Sequence, residues 1–107
     1  MRERELGHGD IWWADLPGGK IRPVVVLTRR RIASRLTRVI VAPITTTVRD
    51  IPTEISLGRS EGVAEGSVAN VDNLHLLDTE RLLSRAGCIS DERWPEFCRA
   101  VTTMMAC

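Results

Sequence analysis

The sequence predicts a mainly β protein: a small, closed or nearly closed barrel of six or seven short strands, followed by one C-terminal helix. Short runs of branched and aromatic residues alternate with turn residues along most of the chain. Only the last segment carries apolar residues at helical spacing over several turns. With 107 residues the chain is long enough for one hydrophobic core, so we expect a single domain over residues 1–107.

The predicted strands of the first half are runs of branched and aromatic residues. An arginine-rich connection joins the second strand to the third and is long enough to hold a turn of helix. Pro43 interrupts the third strand. Because proline has no N–H to donate, we expect this position at a sheet edge or at a bulge. The predicted ranges are strands at 9–16, 22–28 and 37–45, a turn at 17–19 and the connection at 29–38.

Shorter strands are predicted in the second half, at 52–57, 67–71, 74–77 and 82–89. The helix that follows is predicted from an apolar stripe, which would pack on the core or on a second copy of the chain. Ser90 or Asp91 is expected to cap the helix, and Pro95 fits the first turn, where a missing donor does least harm. The stripe consists of Trp94, Phe97, Cys98, Val101, Met104 and Met105.

The charge of the chain is distributed unevenly, although its net value is only +1. Residues 1–50 carry ten basic and five acidic side chains, whereas residues 51–107 carry five basic and nine acidic ones. From Leu16 to Arg49 there are eight basic residues and no acidic one. A general bias toward arginine would explain the scarcity of lysine but not the missing acids. We therefore expect this stretch to attract a polyanion or an acidic protein partner.

Cysteine and histidine usage indicates a reduced, cytoplasmic protein without a metal site or cofactor. The three cysteines are odd in number, and no two lie two to four residues apart as zinc ligands do. His8 and His75 belong to no metal-ligand pattern and are assigned ordinary structural roles. The charged start at 1–5 has no apolar signal-peptide core behind it, and no window is long enough to span a bilayer.

One arginine and one threonine are expected to meet at a rim of the sheet. Arg22 opens the second strand, Thr45 closes the third, and the two lie equally far from the midpoint of the connection. If the strands pair antiparallel about that midpoint, these residues are cross-strand neighbours with Cβ atoms roughly 4.5–5.5 Å apart. A guanidinium grips two phosphate oxygens and a hydroxyl holds a third. The alternative is an ordinary surface ion pair for Arg22 and a strand end for Thr45.

RNA suits such a pair because its 2′-hydroxyl is already tethered beside the phosphate. The protein then needs to supply neither a nucleophile nor an activated water. It needs only to stabilise the extra negative charge of a pentacoordinate phosphorus. A nuclease of this kind requires no histidine pair and no carboxylate metal cluster.

Several strings of residues occur in a specific order along the chain. They are GDIWWADL at 9–16, KIRPVVVL at 20–27, VAPIT at 41–45 and PTEI at 52–55, followed by similar stretches at 68–73 and 78–82. Together they resemble the MazF/PemK family of toxin endoribonucleases. The resemblance implies an SH3-like barrel, a homodimer, and metal-independent cleavage of single-stranded RNA that leaves 2′,3′-cyclic phosphate and 5′-hydroxyl ends. It places the family's catalytic arginine at Arg22 and its catalytic threonine at Thr45.

Six further residues are candidates for RNA binding. An aspartate and an asparagine lie in a loop between two short strands, where they either read exposed base edges or form an Asx turn. Two threonines and an arginine after the third strand either line an RNA groove or belong to a solvated loop. The candidates are Lys20, Thr46, Thr47, Arg49, Asp72 and Asn73.

Two neighbouring tryptophans, Trp12 and Trp13, point to opposite faces of the first strand. One is expected to fill the core, and the other either stacks on a base or packs at a dimer interface. The turn before the second strand, at 17–20, is shorter than the corresponding loop of many family members. For that reason the RNA sequence that family members cleave is not transferred to this chain.

The resemblance also implies a partner, a cognate antitoxin whose acidic, partly disordered segment docks in the basic groove. Two alternatives to the ribonuclease remain open on the sequence. The first is a non-enzymatic poison of DNA gyrase that uses the dimer face and the C-terminal helix. The second is an inactive barrel that only binds an antitoxin. Arg22 and Thr45 distinguish the ribonuclease from both alternatives, since only cleavage requires them.

Overall fold

The computed structural model describes residues 6–106. Within them the protein is mainly β, with seven strands and one long C-terminal helix, and every predicted element occurs within two residues of its predicted bounds. The start at 1–5 and Cys107 lie outside the described residues. In chain order the elements are β1 Asp10–Leu16, β2 Lys20–Val26, the single-turn helix α1 Arg30–Ala33, β3 Arg38–Thr45, β4 Glu54–Leu57, β5 Ser67–Asn70, β6 His75–Asp78, β7 Leu82–Cys88 and the helix α2 Trp94–Met104.

All strand pairs are antiparallel, and neighbours follow the order β4-β5-β3-β2-β1-β7, with β6 pairing to β3 outside this path. Within residues 6–106 no ladder joins β4 to β7, so hydrogen bonds between the outermost strands do not close the sheet. The mainly β class with a C-terminal helix is confirmed, and the barrel stays a prediction. None of the described helices is long and apolar enough to cross a membrane.

Pro43 lies where β3 changes its neighbour. On one side β3 pairs with β2 without interruption, with Pro43 opposite Val24. On the other side it pairs with β6 from Arg38 to Val41 and with β5 at Ile44 and Thr45. The missing N–H therefore falls in the gap between two partner strands, and no ladder bond is lost. This position is neither the outer edge nor the bulge that the sequence suggested.

The two faces of the sheet pack into separate hydrophobic clusters because side chains alternate along each strand. Val25 belongs to a first core, which lies between the sheet and α2. Val24 and Val26 belong to a second core, which includes Ala33 of α1. The two tryptophans follow the same alternation: Trp12 packs against the second core, whereas Trp13 is 40% exposed. Their predicted placement on opposite faces is confirmed.

The helix α2 docks through a narrower stripe than predicted. Phe97 and Ala100 are buried and Trp94 packs against them, whereas Cys98 and Met104 are exposed. Pro95 lies in the first turn as expected. The predicted side-chain cap is wrong, because Arg93 occupies the N-cap position without a side-chain bond. Ser90 instead accepts backbone hydrogen bonds at its carbonyl, from Arg93 and Trp94.

Candidate active site

The pairing of β2 with β3 has the predicted register. Val24 lies opposite Pro43, Val25 opposite Ala42, and Val26 opposite Val41. Continued by two residues, this register places Arg22 opposite Thr45, where β2 starts and β3 ends. The two side chains thus belong to one rim of the sheet because the strands are antiparallel and symmetric about their connection.

Two surface cavities meet at this rim. The larger, of about 340 Å³, is called here the groove cavity, and its polar wall includes Lys20, Asn70, Asn73 and His75. The smaller, of about 230 Å³, is called the Trp13 cavity, and its wall includes Trp13, Pro23 and Ile44. Arg22 and Thr45 are the two residues that line both cavities. The predicted pair therefore occupies the junction between two recesses.

Arg22 has the properties of an anion-binding side chain. It is half-buried, and among residues 6–106 its guanidinium has no hydrogen bond or ion pair. A partly desolvated cation without a carboxylate partner attracts an anion more strongly than a solvated one does. Lys20, exposed at the start of the same strand, adds a second positive charge to the groove cavity.

The hydroxyl of Thr45 is oriented by the chain that follows it. The backbone N–H of Thr47 donates to Thr45 Oγ1 at 3.2 Å. Because a hydroxyl has one donor and two acceptor sites, this bond leaves the Thr45 proton available to an anionic oxygen. The arrangement can therefore present one hydroxyl donor and a guanidinium fork to the same phosphate.

The loop after β3 is held by an ion-pair cluster centred on Arg49. Arg49 Nη2 lies 2.8 Å from Asp72 Oδ1, and its Nε lies 3.1 Å from Glu54 Oε2. Thr53 also donates to Asp72 at 3.2 Å. The hydrogen bond to Asp72, followed by that to Glu54, raises the pKa of Arg49. The positive charge of Arg49 is thus offset by two carboxylates, although the residue still lines the groove cavity.

The same cluster keeps both acids ionised. The hydrogen bond from Arg49 lowers the pKa of Asp72 despite partial burial. Burial acts to raise the pKa of Glu54, but hydrogen bonds from the backbone and side chain of Arg49 and from the backbone of Asp50 outweigh it, and the pKa is lowered. Asp72 faces this cluster and lines neither cavity. The sequence suggested that Asp72 reads bases or forms an Asx turn. In the structure its side chain accepts hydrogen bonds from Arg49 and Thr53 and so stabilises the loop after β3.

The other predicted RNA-binding residues surround the junction. Thr47 and Asn73 line the groove cavity together with Lys20 and Arg49, whereas Thr46 lines the Trp13 cavity. Sequence reasoning missed Asn70, which ends β5, and gave His75, which starts β6, only a structural role. Both line the groove cavity. The signal that they shared with Thr45 was a polar residue at a strand end, but only the topology shows that these ends converge.

The basic stretch that ends at Arg49 is divided among different surfaces. Arg30 lies in α1 and pairs with Asp10, which is 2% exposed, at 3.1 Å. Arg38 pairs with Asp78 at 2.9 Å. Only Lys20, Arg22 and Arg49 of this stretch line the groove cavity. Because Arg49 is paired with two carboxylates, the positive character of the site comes from Lys20 and Arg22 rather than from the whole stretch.

Metal-ligating side chains are dispersed over the described part of the chain. Across residues 6–106 no three His, Cys, Asp or Glu side chains form a group that could hold a metal ion. Cys88 and Cys98 are free and exposed. The side chains around the junction carry guanidinium, ammonium, hydroxyl, amide and imidazole groups.

Comparisons with known proteins identify the family. Residues 8–105 match the family described as PemK-like, MazF-like toxin of type II toxin–antitoxin system. The chain is 36% identical over 103 residues to probable endoribonuclease MazF2 of Mycobacterium tuberculosis, a match covering 95% of this chain and 100% of that protein. The structure of Mycobacterium tuberculosis toxin MazF-mt6 superposes with a TM-score of 0.83 at 35% identity, over 89% of this chain and 94% of that one.

A further solved structure supports the fold at lower identity. It is an endoribonuclease in complex with its cognate antitoxin from a mycobacterial species, with a TM-score of 0.83 at 23% identity, covering 92% of this chain and 93% of that chain. Because the sequence match spans nearly the whole chain, the protein belongs to the PemK-like, MazF-like toxins of type II toxin–antitoxin systems.

Proposed function

We propose that this toxin is a metal-independent endoribonuclease that cleaves single-stranded RNA in the cytoplasm, with Arg22 and Thr45 as its catalytic residues. The observation that carries the proposal is the guanidinium of Arg22, which has no partner among residues 6–106 and lies beside Thr45 at the junction of two cavities. A flexible strand of RNA can lie across such a junction with one phosphate at the rim. The relative that is matched over its full length is named a probable endoribonuclease, which favours cleavage over the gyrase poison and the inactive barrel.

The proposed reaction is an internal transfer of the phosphodiester. The 2′-oxygen attacks phosphorus and loses its proton, a P–O2′ bond forms, and the P–O5′ bond breaks. The leaving 5′-oxygen gains a proton, so the products carry a 2′,3′-cyclic phosphate and a 5′-hydroxyl. No water molecule or metal ion is consumed or required by this balance.

Arg22 and Thr45 act on the charge that develops at phosphorus. The guanidinium of Arg22 donates two hydrogen bonds to the non-bridging oxygens, and the Thr45 hydroxyl donates a third. The register of the two paired strands fixes where both side chains start, and the Thr47 N–H orients the Thr45 hydroxyl before the substrate arrives. Both side chains also fix the orientation of the phosphate relative to its 2′-hydroxyl.

The proposal is tested by incubating the protein with a long single-stranded RNA in EDTA. Cleavage should proceed at the same rate with and without the chelator, and end-group analysis should find cyclic phosphate and 5′-hydroxyl ends. A short RNA containing the mapped cut site, with a 2′-deoxy nucleotide at that site, should resist cleavage because it lacks the nucleophile. Loss of activity in EDTA, or cleavage of the 2′-deoxy substrate, would contradict the mechanism.

The proposed partners are a second copy of the chain and an antitoxin. An apolar groove of about 640 Å³ runs beside α2 and is lined by Leu27, Ile40, Leu74 and Val101. Leu76, which pairs with Ile40 across the sheet, is 65% exposed beside it. An exposed apolar surface of this kind favours association, so we propose a homodimer through this face. The antitoxin is proposed to place an acidic segment on Lys20 and Arg22.

Sedimentation tests both associations. The toxin alone should sediment with the mass of two chains at micromolar concentration, because the apolar face is then covered. After co-expression with the product of the neighbouring open reading frame, a larger complex without ribonuclease activity should appear. A monomer mass would refute the dimer, and failure to form a stable complex would refute that antitoxin assignment.

The proposed architecture is one SH3-like barrel domain over residues 1–107. Its support is the position of β3, which pairs with β2 on one side and with both β5 and β6 on the other. A strand with two successive partners on one side bends the sheet around its cores, as a small barrel requires.

A further inference from the structure

Trp13 is unusually placed for a large aromatic side chain. It lies in the middle of β1, opposite Pro23 of β2 and Ser84 of β7, where a side chain is normally covered. Its neighbour Trp12 is packed against the second core, but Trp13 is 40% exposed. The exposed indole forms part of the wall of the Trp13 cavity, together with Arg22.

The two cavities that meet at Arg22 and Thr45 differ in chemistry. The groove cavity carries amide and imidazole groups from Asn70, Asn73 and His75. Apart from Arg22 and three hydroxyl side chains, the wall of the Trp13 cavity is apolar, and it includes the indole of Trp13 with Pro23, Ile44 and Val63. Amide and imidazole groups can bond to base edges, whereas an aromatic face holds any base by stacking.

We propose that Trp13 is the stacking platform for the base on one side of the scissile phosphate, while the base on the other side enters the groove cavity. This inference rests on the proposed RNA cleavage and assigns an RNA subsite to the Trp13 cavity. With its phosphate at Arg22 and Thr45, the strand has one flanking nucleotide directed into each cavity. Because stacking tolerates every base, sequence preference is concentrated on the groove-cavity side of the cut.

Tryptophan fluorescence tests contact without requiring cleavage. The probe is a single-stranded 2′-O-methyl oligoribonucleotide pool of random sequence, which cannot be cut. Binding should quench the emission of the wild-type protein and of Trp12→Phe, because both retain the Trp13 indole in the cavity. Trp13→Phe should bind the pool with little change in emission. Quenching of equal size in Trp13→Phe would overturn the proposal.

A double-mutant cycle, in which a Trp13 variant is combined with a substrate that lacks one base, tests stacking during the reaction. Trp13→Ala should lower kcat/KM about 5- to 150-fold, the range found when a stacked base loses its aromatic partner, whereas Trp13→Phe should stay close to wild type. An abasic nucleotide on the stacking side of the cut should cause a similar loss in wild type and no further loss in Trp13→Ala. Leu83→Ala, which alters an exposed apolar residue of β7, is the control.

The outcomes separate this inference from the proposed function. The abasic nucleotide is placed in turn on each side of the cut. If in both placements its loss of activity multiplies with the loss from Trp13→Ala, Trp13 does not stack on either base. The subsite is then refuted, although cleavage stands. A shift of Trp13→Ala from dimer to monomer mass would instead assign Trp13 to the dimer interface and refute the subsite. If wild type fails to cleave, the fluorescence arm still tests contact with RNA.

Discussion

Replacement of Arg22 by alanine is expected to lower kcat/KM for RNA cleavage by about 10³-fold or more. Removing a single preorganised donor from a developing oxyanion typically costs about 10²- to 10³-fold, and Arg22 supplies two donors together with a full charge. The loss should appear mainly in kcat, because these contacts strengthen as charge develops at phosphorus. Initial rates on a short RNA containing the mapped cut site provide the measurement.

The form of the Arg22 side chain should matter as well as its charge. Arg22→Lys keeps the positive charge but loses the planar fork, so its activity should fall between wild type and Arg22→Ala. Folding should be unaffected in both variants, since among residues 6–106 Arg22 has no partner to lose. Arg35→Ala, an exposed arginine after α1, is the matched control and should cleave like wild type. An Arg22→Ala protein within tenfold of wild type would remove Arg22 from the mechanism.

Phe97→Ala is expected to reduce the free energy of unfolding by about 3–5 kcal/mol. Phe97 is fully buried in the first core, and its ring stacks on Trp94 with centroids 5.2 Å apart. Its removal therefore deletes a fully buried contact between α2 and the sheet and leaves a cavity there. Denaturant unfolding measures the change in the free energy of unfolding. The protein concentration is held fixed, because the stability of an associating chain depends on concentration.

Two further variants keep the Phe97 prediction testable even if the alanine variant does not fold. Phe97→Leu retains most of the apolar volume and should cost clearly less than the alanine substitution. Met104→Ala alters an exposed residue of the same helix and should change the free energy of unfolding by about 0.5 kcal/mol or less. Equal destabilisation by Phe97→Ala and Met104→Ala would contradict the assignment of Phe97 as the residue that anchors α2.

Much of the candidate site was predictable because it depends on a local symmetry. Arg22 and Thr45 are equally distant from the midpoint of one connection, and antiparallel pairing about that midpoint brings them together. Strands that follow one another in the chain pair often enough that sequence alone supports this inference. The sequence likewise predicted that Trp12 and Trp13 lie on opposite faces of the sheet, since neighbouring residues of a strand face opposite sides.

The rest of the site depends on contacts between segments that are distant in the chain. Asn70 and His75 reach the groove cavity because β5 and β6 share the same side of β3, a topology that no local pattern encodes. Asp72 stays a candidate for base reading, but its position 2.8 Å from Arg49, a residue 23 positions earlier, could not be predicted from the sequence. The predicted cap of α2 also failed, because Ser90 uses its carbonyl rather than its side chain.

By itself, the amino-acid sequence determined the strand order along the chain, the C-terminal helix and the meeting of Arg22 with Thr45. These features follow from side-chain periodicity and from pairing of strands that are neighbours in sequence. Only the tertiary structure determined that Arg22 joins two cavities of different chemistry and leaves Trp13 exposed in one of them. The physical reason is that a cavity is formed by what remote segments leave uncovered when they pack, and such packing depends on the whole chain.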